Sequence, residues 1–422
     1  MNNKISILYY IIMLAILVSW NNPEVLPSLP FRLAFLSLLL TPLLIQKSKL
    51  TPFILLTFVV ISASSYAVSY MPVDGLYLSI TCIFSFLILG LKNSNYGLSI
   101  PSGFIILIFL SFIIDFLFSN SISITYNWFV VFLISRYFIS KYNYSHIKFV
   151  AFSFALISIV LSLEFLAVGD KFINDVHTIL GDLDRKGWTD PNYFGSIIGI
   201  GILTSLIEIL FHRNNIYFKF FYLITSILST YVLISTASRG ATVALITSAI
   251  ILLFFSKLQF KYKVYTSFSV IILLIIMYKL GMLDLIFIRF KSDEGDLGGR
   301  GYIWETRLSH FFSDLNMFQW LFGIGKDQAL TLGTGRVLGF HNDFLSVMVR
   351  YGLIGLGCLI SMLITPILNA RKHNRPIVLA LIIYISLCMC SIEPFTGGQW
   401  GCLYLYIFIL MLSQIKYDEN YV

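Results

Sequence analysis

The sequence predicts an all-α polytopic membrane protein with about twelve to fourteen transmembrane helices. The first observation is composition: of 422 residues, 58% are hydrophobic and only 12% are charged, whereas soluble domains carry roughly 25% charged residues. The second is the recurrence of apolar runs long enough to cross the hydrocarbon core of a bilayer. The third is a regular alternation of charge between those runs. Together they predict a single integral membrane domain over residues 1–422.

Fourteen apolar runs qualify as candidate spans, and several lie near the lower length limit. The first run has no small-x-small cleavage site, so we expect it to be retained as a span. The five cysteines lie within apolar runs and form no CxxC pair, which indicates packing residues rather than disulfides or a metal site. The candidate spans are residues 5–20, 31–46, 51–70, 76–91, 102–119, 123–140, 148–168, 192–211, 217–236, 241–256, 263–282, 343–368, 376–391 and 399–415.

The connections between the spans form two sets that alternate along the chain. One set is short and rich in lysine and arginine, and it holds only Glu208, Asp418 and Glu419 of the 21 acidic residues. The positive-inside rule assigns this basic set to the cytoplasm. Both termini are therefore expected in the cytoplasm. The other set, with a shorter loop at 169–191 and a long loop at 283–342, is expected on the outer face.

The unusual polar clusters of the chain all belong to the predicted outer face. A membrane protein with its polar chemistry on one face is expected to act on something presented at that leaflet. The clusters read "GDLDRKGWTDPNYFG", "STASRG", "GDLGGRGYIWETRLSH", "GFHNDF" and "SIEPFTGG".

The long loop is expected to contain short helices. The spacing of "RGYIWETRLSHFF" predicts an amphipathic helix at the membrane interface. The glycine pairs Gly323/Gly325 and Gly333/Gly335 match a phosphate-binding loop only weakly, because no Walker pattern or strand precedes them. We favour a flexible loop over the outer opening for this segment.

Arg239 stands in "TASRG" between two predicted spans, where Gly240 permits a tight turn. It could reach the lipid headgroups, or it could make a bidentate contact with an oxyanion; the residues alone leave both readings open. Guanidinium groups suit a diphosphate because their paired N–H donors match phosphate oxygens. The outer-face residues that could form such a patch are Arg239, Arg300, Arg307, Arg185, Lys186 and Lys171.

His341 lies where the long loop meets a long apolar helix. A lone histidine is commonly structural, but an imidazole at a water–membrane boundary can also accept a proton from a hydroxyl. Asn342 or Asp343 is expected to cap the helix. Deeper in the same helix, Arg350 is expected to form a structural ion pair, with three candidate partners: Asp115, Glu164 and Glu393.

The segment "DPNYFG" is expected to start a span, with Asp190 as cap and Pro191 in the first turn. Asn192 and Tyr193 would then face the outer vestibule and could hydrogen-bond sugar hydroxyls. Glu393 in "EPFTGGQW" is a further candidate sugar-facing group.

These motifs, in this order, resemble the O-antigen ligase and polymerase superfamily over roughly residues 180–360. "TASRGA" resembles the family's arginine at the outer end of a middle helix, "GGRGYIWE" its loop arginine, and "FHNDFLSVMVRYGLIGLG" its histidine segment. The resemblance implies a GT-C-like membrane glycosyltransferase. It also implies diphosphate binding by Arg239 and Arg300 and a base or orienting role for His341. Arg307 and Arg185 of the basic patch are further diphosphate-binding candidates, and Asn342 is a further sugar-binding candidate.

The resemblance further implies a bacterial inner-membrane enzyme with its active site on the periplasmic side. Its donor and acceptor would be undecaprenyl-diphosphate-linked repeat units, and its other partners would be membrane lipids and a chain-length regulator. No cofactor, metal or nucleic acid is expected. "SRG" and "HNDFL" look more like the polymerases. The alternatives are an O-antigen ligase that transfers glycan to lipid A core and, in another class, a lipid-linked glycan flippase or transporter.

Overall fold

The computed structural model describes residues 99–119, 144–178, 191–212, 214–236, 238–256, 259–279, 281, 284, 300–396 and 400–415. Every predicted span within these ranges coincides with a helix, which confirms the all-α membrane class. Three helical segments are long and apolar enough to cross a membrane: Asn192–Phe211, Ile216–Ser235 and Asp343–Asn369. Arg185 and the spans predicted at 5–20, 31–46, 51–70, 76–91 and 123–140 lie outside the described residues, so the total of twelve to fourteen stays a prediction.

The described helices follow the chain in an order that alternates membrane helices with short connections. The long loop adds three short helices, as predicted. The helices are α1 (Ser102–Phe118), α2 (Tyr144–Thr178), α3 (Pro191–Phe211), α4 (Ile216–Ser235), α5 (Arg239–Phe255), α6 (Phe260–Lys279), α7 (Arg300–Ser313), α8 (Met317–Phe322), α9 (Lys326–Thr331), α10 (Asp343–Asn369), α11 (Arg375–Ser391) and α12 (Trp400–Gln414).

Helix boundaries follow local chemistry. Pro191 is the first residue of α3, as its fixed φ and missing N–H favour. Asn215 caps α4, since its side chain accepts a hydrogen bond from the Tyr217 N–H. One boundary differs from the prediction: α2 runs through Thr178, so the first part of the loop predicted at 169–191 is helical.

Helix α12 is enclosed by other helices of the described part of the chain. Its sequence is apolar on all sides, which is typical of a helix surrounded by protein, and Leu405 to Leu412 are buried. It packs against α2, α3, α10 and α11. The Tyr406 hydroxyl donates to the Met362 carbonyl at 2.8 Å, so the polar atom of this buried ring is satisfied.

Small residues bring the neighbouring helices close together. A Cβ at Gly201 would collide with Ser158 of α2, and the Ser158 hydroxyl donates to the Ser229 hydroxyl of α4 at 2.8 Å. Gly199 leaves room for Tyr384 of α11. Close approach through small residues and hydroxyl hydrogen bonds is how membrane helices associate without a hydrophobic driving force between them.

The hydrogen bonds between interhelical connections join residues of the same predicted set, either the basic set or the outer set. Lys148 donates to Asn214 at 3.3 Å, and the Gln414 side chain exchanges hydrogen bonds with the backbone of Ser99. Lys148, Asn214 and Ser99 belong to the basic set, and Gln414 lies at the end of the span that leads into it. The outer-set contacts described in the next subsection gather at other helix ends. This segregation fits the predicted alternation, while the orientation in the membrane remains a prediction.

The segment around Gly323 and Gly325 is packed rather than the flexible loop that the sequence suggested. Helix α10, predicted as one continuous span, is interrupted at Gly352, where φ is +73° and ψ is −173°. The interruption allows loop backbone to pair with it: Ile324 N–H donates to the Val349 carbonyl at 3.2 Å and Gly325 N–H to the Arg350 carbonyl at 3.0 Å. Both loop glycines have positive φ and lie against protein atoms, which is why glycine is needed there.

Helix α1 holds the next part of the loop. The Asp115 carboxylate accepts a hydrogen bond from the Lys326 N–H at 3.2 Å and another from the Tyr351 hydroxyl at 3.0 Å. The Ser119 hydroxyl accepts one from the Asp327 N–H at 3.2 Å. The start of α9 is therefore fixed to α1 and α10 together.

Arg307 organises the last part of the loop from inside. It is fully buried on α7. Its guanidinium donates to the carbonyls of Ala329, Leu330 and Leu338, the last two at 2.5 and 3.2 Å. Since these carbonyls flank the turn at 331–337, Arg307 closes that turn into a compact unit.

We predict that Gly352→Ala destabilises the fold by about 3 kcal/mol, because a Cβ there would be strained at positive φ and would collide with the Leu321 carbonyl. Gly357→Ala in the same helix is the control. Its Cβ would meet nothing within 4 Å, so its unfolding free energy should stay within about 1 kcal/mol of the parent. Thermal unfolding of the purified protein in detergent measures both. Equal unfolding temperatures for the two variants would contradict this account of the interruption.

Candidate functional site

His341 has an unusual backbone conformation. Its φ is +50°, and it is the one non-glycine residue with positive φ in the described part of the chain. The ring atom Nδ1 is buried and has no hydrogen-bond partner. A strained residue whose side chain makes no stabilising polar contact is typical of a functional position.

Phe340, immediately before His341, is held from three directions. Its carbonyl accepts a hydrogen bond from Trp304 Nε1 of α7 at 2.8 Å, and its N–H donates to Glu393 Oε1 at 3.2 Å. Its buried ring lies between two guanidinium groups, with Arg307 at 4.9 Å and Arg350 at 5.9 Å from the ring centroid. These contacts fix the backbone that leads into His341.

The residues after His341 are held as well. The Asn342 side chain accepts a hydrogen bond from the Leu345 N–H at 3.1 Å and caps α10, which confirms the first of the two predicted caps. Asp343 has another task. Its buried carboxylate accepts from the N–H groups of Phe395 and Thr396, both at 2.8 Å, and from the Thr396 hydroxyl at 2.5 Å. Asp343 thereby ties the 393–396 segment to the start of α10.

Glu393 is the partner of Arg350 among the three predicted candidates. Glu393 Oε1 lies 3.7 Å from Arg350 Nη2, and both side chains are nearly buried. Asp115 instead contacts Tyr351 and Lys326, and the Glu164 side chain lies outside the described residues. Arg350 Nε and Nη1 are buried without hydrogen-bond partners, so the pair is only partly satisfied.

Arg239 is the first residue of α5 and is half-buried. The turn before it meets α3, because the Ser238 hydroxyl donates to the Asn192 side chain at 3.3 Å and Gly195 packs against Ser238. A Cβ at Gly240 would collide with Ser391, the last residue of α11. The structure thus joins "DPNYFG", "TASRG" and the start of "SIEPFTGG".

Arg300 is the first residue of α7 and is also half-buried. It precedes Trp304 by four residues, so the two side chains share one face of the helix. Since Trp304 binds the Phe340 carbonyl, that face is turned toward the His341 segment. One indole hydrogen bond therefore joins the helix that begins with Arg300 to the residue before His341.

Arg307 does not fit its predicted role in diphosphate binding. Its side chain has no exposed surface, and its terminal nitrogens already donate to loop carbonyls. Burial lowers the pKa of the Arg307 guanidinium from its usual value, and the nearby Glu393 carboxylate raises it in part. The helical spacing of α7 turns Arg307 inward, toward carbonyls that come together only when the loop folds. For this reason the sequence did not indicate that its guanidinium is already engaged.

Several residues of this site were missed by sequence reasoning. Trp304 could have been identified from its position four residues after Arg300, because this spacing places both side chains on one face of the predicted helix. The contacts of Phe340 with Glu393 and of Asp343 with Thr396 could not be predicted from the sequence, because each joins segments about fifty residues apart. Asn192 and Tyr193 lie half-buried at the start of α3, where Asn192 contacts the Arg239 turn. A role for either in sugar binding remains a prediction.

The candidate segments carry cationic side chains and an imidazole, and the residues on either side of the imidazole are held in place by hydrogen bonds. Arginines can bind a phosphate group and stabilise it as it leaves, and an imidazole can accept a proton from an attacking hydroxyl. Within the part of the chain that the structure describes, no group of three His, Cys, Asp or Glu residues could hold a metal ion.

Comparison with known proteins agrees with this chemistry. No curated protein matches the chain. A family model described as O-antigen ligase matches residues 224–360, a range that contains Arg239, Arg300, His341 and Arg350 but ends before Glu393. Residues 224–360 are thus similar to the O-antigen ligase family, which agrees with the resemblance that the sequence motifs indicated.

Proposed function

We propose that the protein polymerises undecaprenyl-diphosphate-linked oligosaccharide repeat units at the periplasmic face of the bacterial inner membrane. Proteins of the matched family transfer glycosyl groups, which supports an enzyme of this general kind. The observation that carries the proposal is the attachment of the Arg300 helix to the strained His341 segment through Trp304 and Phe340. This contact supports the proposal because it joins the helix that carries Arg300, the proposed phosphate-binding group, to the segment of His341, the proposed proton acceptor.

In the proposed reaction Arg239 and Arg300 bind the diphosphate of the donor lipid. His341 accepts the proton of an acceptor sugar hydroxyl, and that oxygen attacks the anomeric carbon of the donor glycan. The bond between this carbon and the phosphate oxygen breaks, and its electron pair leaves with the lipid diphosphate. Two guanidinium groups stabilise the charge that develops on the leaving group.

The identity of the acceptor separates a polymerase from a ligase. In a polymerase the acceptor is the non-reducing end of another lipid-linked repeat unit, and in a ligase it is lipid A core. The family match fits both. The forms "SRG" and "HNDFL", which resemble those of polymerases, favour the first.

A flippase or transporter is the candidate from another class, and it would use charged groups within the bundle. Asp115 and Arg350 are such groups, but both hold the outer loop and its supporting residues in place. Asp115 accepts from the Lys326 N–H and the Tyr351 hydroxyl, and Arg350 pairs with Glu393. These structural tasks favour an enzyme over a transporter.

The test is reconstitution of the purified protein into vesicles with lipid-diphosphate-linked repeat units, followed by gel analysis of glycan length. A ladder of longer lipid-linked glycans is the expected result. Transfer to added lipid A core without a ladder would assign a ligase. Movement of the lipid across the bilayer with no new glycosidic bond would assign a transporter.

We predict that Arg239→Ala and Arg300→Ala each lower the rate of chain extension by about 10²-fold or more, as expected when a donor to a charged leaving group is lost. Loss of the proton acceptor in His341→Ala should lower it by about 10²- to 10⁴-fold. Arg336→Ala is the matched control, because Arg336 is an exposed arginine of the same loop. Normal polymer from Arg239→Ala or His341→Ala, at normal protein amount, would remove the assignment.

A second prediction concerns the indole hydrogen bond. Trp304→Phe loses the donor to the Phe340 carbonyl, so turnover should fall by about 10-fold as His341 shifts. Trp320→Phe loses a similar bond, from Nε1 to the Phe311 carbonyl at 2.7 Å, and both indoles are half-buried.

Each of these substitutions should lower the unfolding free energy by about 1 kcal/mol, while turnover falls only in Trp304→Phe. Turnover and thermal unfolding are measured on the same preparations. Equal turnover in the two variants would show that Trp304 only stabilises the loop.

A further inference from the structure

Two polar side-chain atoms border the space beside Gly339, two residues before His341; we call this space the gap. A Cβ at this position would lie 3.1 Å from Glu393 Oε2, a tight contact, and 3.9 Å from His341 Nε2. The glycine is half-buried. The gap is therefore bordered by one carboxylate oxygen and one imidazole nitrogen, both polar.

The two oxygens of Glu393 have different surroundings. Oε1 accepts the Phe340 N–H at 3.2 Å and lies 3.7 Å from Arg350 Nη2. Oε2 faces the gap. An ionised carboxylate can only accept hydrogen bonds, so a ligand that enters the gap must bring a donor to Oε2.

His341 also presents an acceptor to this gap when it acts as a base. Its Nδ1 atom is buried, so Nε2 is the ring nitrogen that borders the open space. A hydroxyl group has one proton and can donate to only one of the two atoms. A sugar that satisfies both must therefore offer two hydroxyls, and hydroxyls on neighbouring carbons are close enough together to reach two atoms that border one Cβ position.

We propose that the gap at Gly339 is the acceptor subsite and that it selects a sugar with two vicinal hydroxyls. One hydroxyl donates its proton to His341 Nε2 and attacks the donor. Its neighbour donates to Glu393 Oε2 and orients the ring. This inference rests on the proposed function and gives Glu393 two tasks, since Oε1 holds Phe340 while Oε2 meets the substrate.

The pairing also accounts for the charge arrangement. Arg350 Nη2 lies 3.7 Å from Glu393 Oε1, so the cation pairs with the oxygen that also holds Phe340. A charged acceptor left without a donor is costly. An acceptor sugar that lacks the second hydroxyl is therefore expected to be rejected more strongly than the loss of one contact suggests.

The first test probes the gap without relying on activity. The full-length protein in detergent is treated with diethyl pyrocarbonate, and the labelling of His341 is followed by peptide mass spectrometry. His310, a partly exposed histidine of the same loop, serves as the internal reference. Gly339→Ala should slow His341 labelling several-fold and leave His310 unchanged, while Gly357→Ala should change neither.

The second test asks whether the gap binds a vicinal diol, and it compares two small probes that differ by one hydroxyl group. We expect cis-1,2-cyclohexanediol to slow His341 labelling by about twofold or more at concentrations suited to a fragment-sized ligand. Cyclohexanol should not slow it. Equal protection by the two compounds would overturn the vicinal-diol requirement.

The third test measures chain extension. Gly339→Ala and Glu393→Gln should raise the acceptor KM or lower turnover by about 10-fold or more, with the donor KM unchanged. The unfolding temperature should stay unchanged in Gly339→Ala, whereas Glu393→Gln should lower it because Arg350 loses its anionic partner. Wild-type extension by Gly339→Ala would overturn the subsite. Diol protection of His341 in a protein that extends no glycan would instead reject the proposed function and leave the diol-binding gap standing.

Discussion

The interruption of α10 at Gly352 is the constraint on which the outer part of the protein depends. Backbone groups within a membrane protein need hydrogen-bond partners, and a broken helix leaves carbonyls without them. The loop supplies the donors, since Ile324 and Gly325 bind the carbonyls of Val349 and Arg350. An extramembrane segment thus becomes part of the membrane helix packing, and the position of α7 and α8 follows from that docking.

The same helix that anchors the loop also begins at the candidate site. Asp343, its first residue, holds the 393–396 segment, while Phe340 is bound by both α7 and Glu393. Two connections that are distant in sequence are therefore fixed to one helix start. His341 lies between two anchored neighbours, and this explains how a strained backbone persists there.

Hydropathy and charge predicted the described membrane helices, because each span is set by local composition. Local chemistry likewise predicted Asn342 as a cap, and the limited number of acids within reach predicted Glu393 among the partners of Arg350. The burial of Arg307 and the interruption at Gly352 were not predictable in this way. Both depend on contacts with carbonyls and loop backbone from distant parts of the chain. Such long-range contacts leave no local pattern in a single sequence.

The central claim is that Arg239 and Arg300, from two separate elements, bind one diphosphate beside His341. A double-mutant cycle tests it most directly: kcat/KM for chain extension is measured for Arg239→Ala, Arg300→Ala and the double variant. If the two arginines bind one group, the double variant should lose far less than the product of the two single losses. Losses that multiply fully would mean that the arginines act independently and would contradict the account.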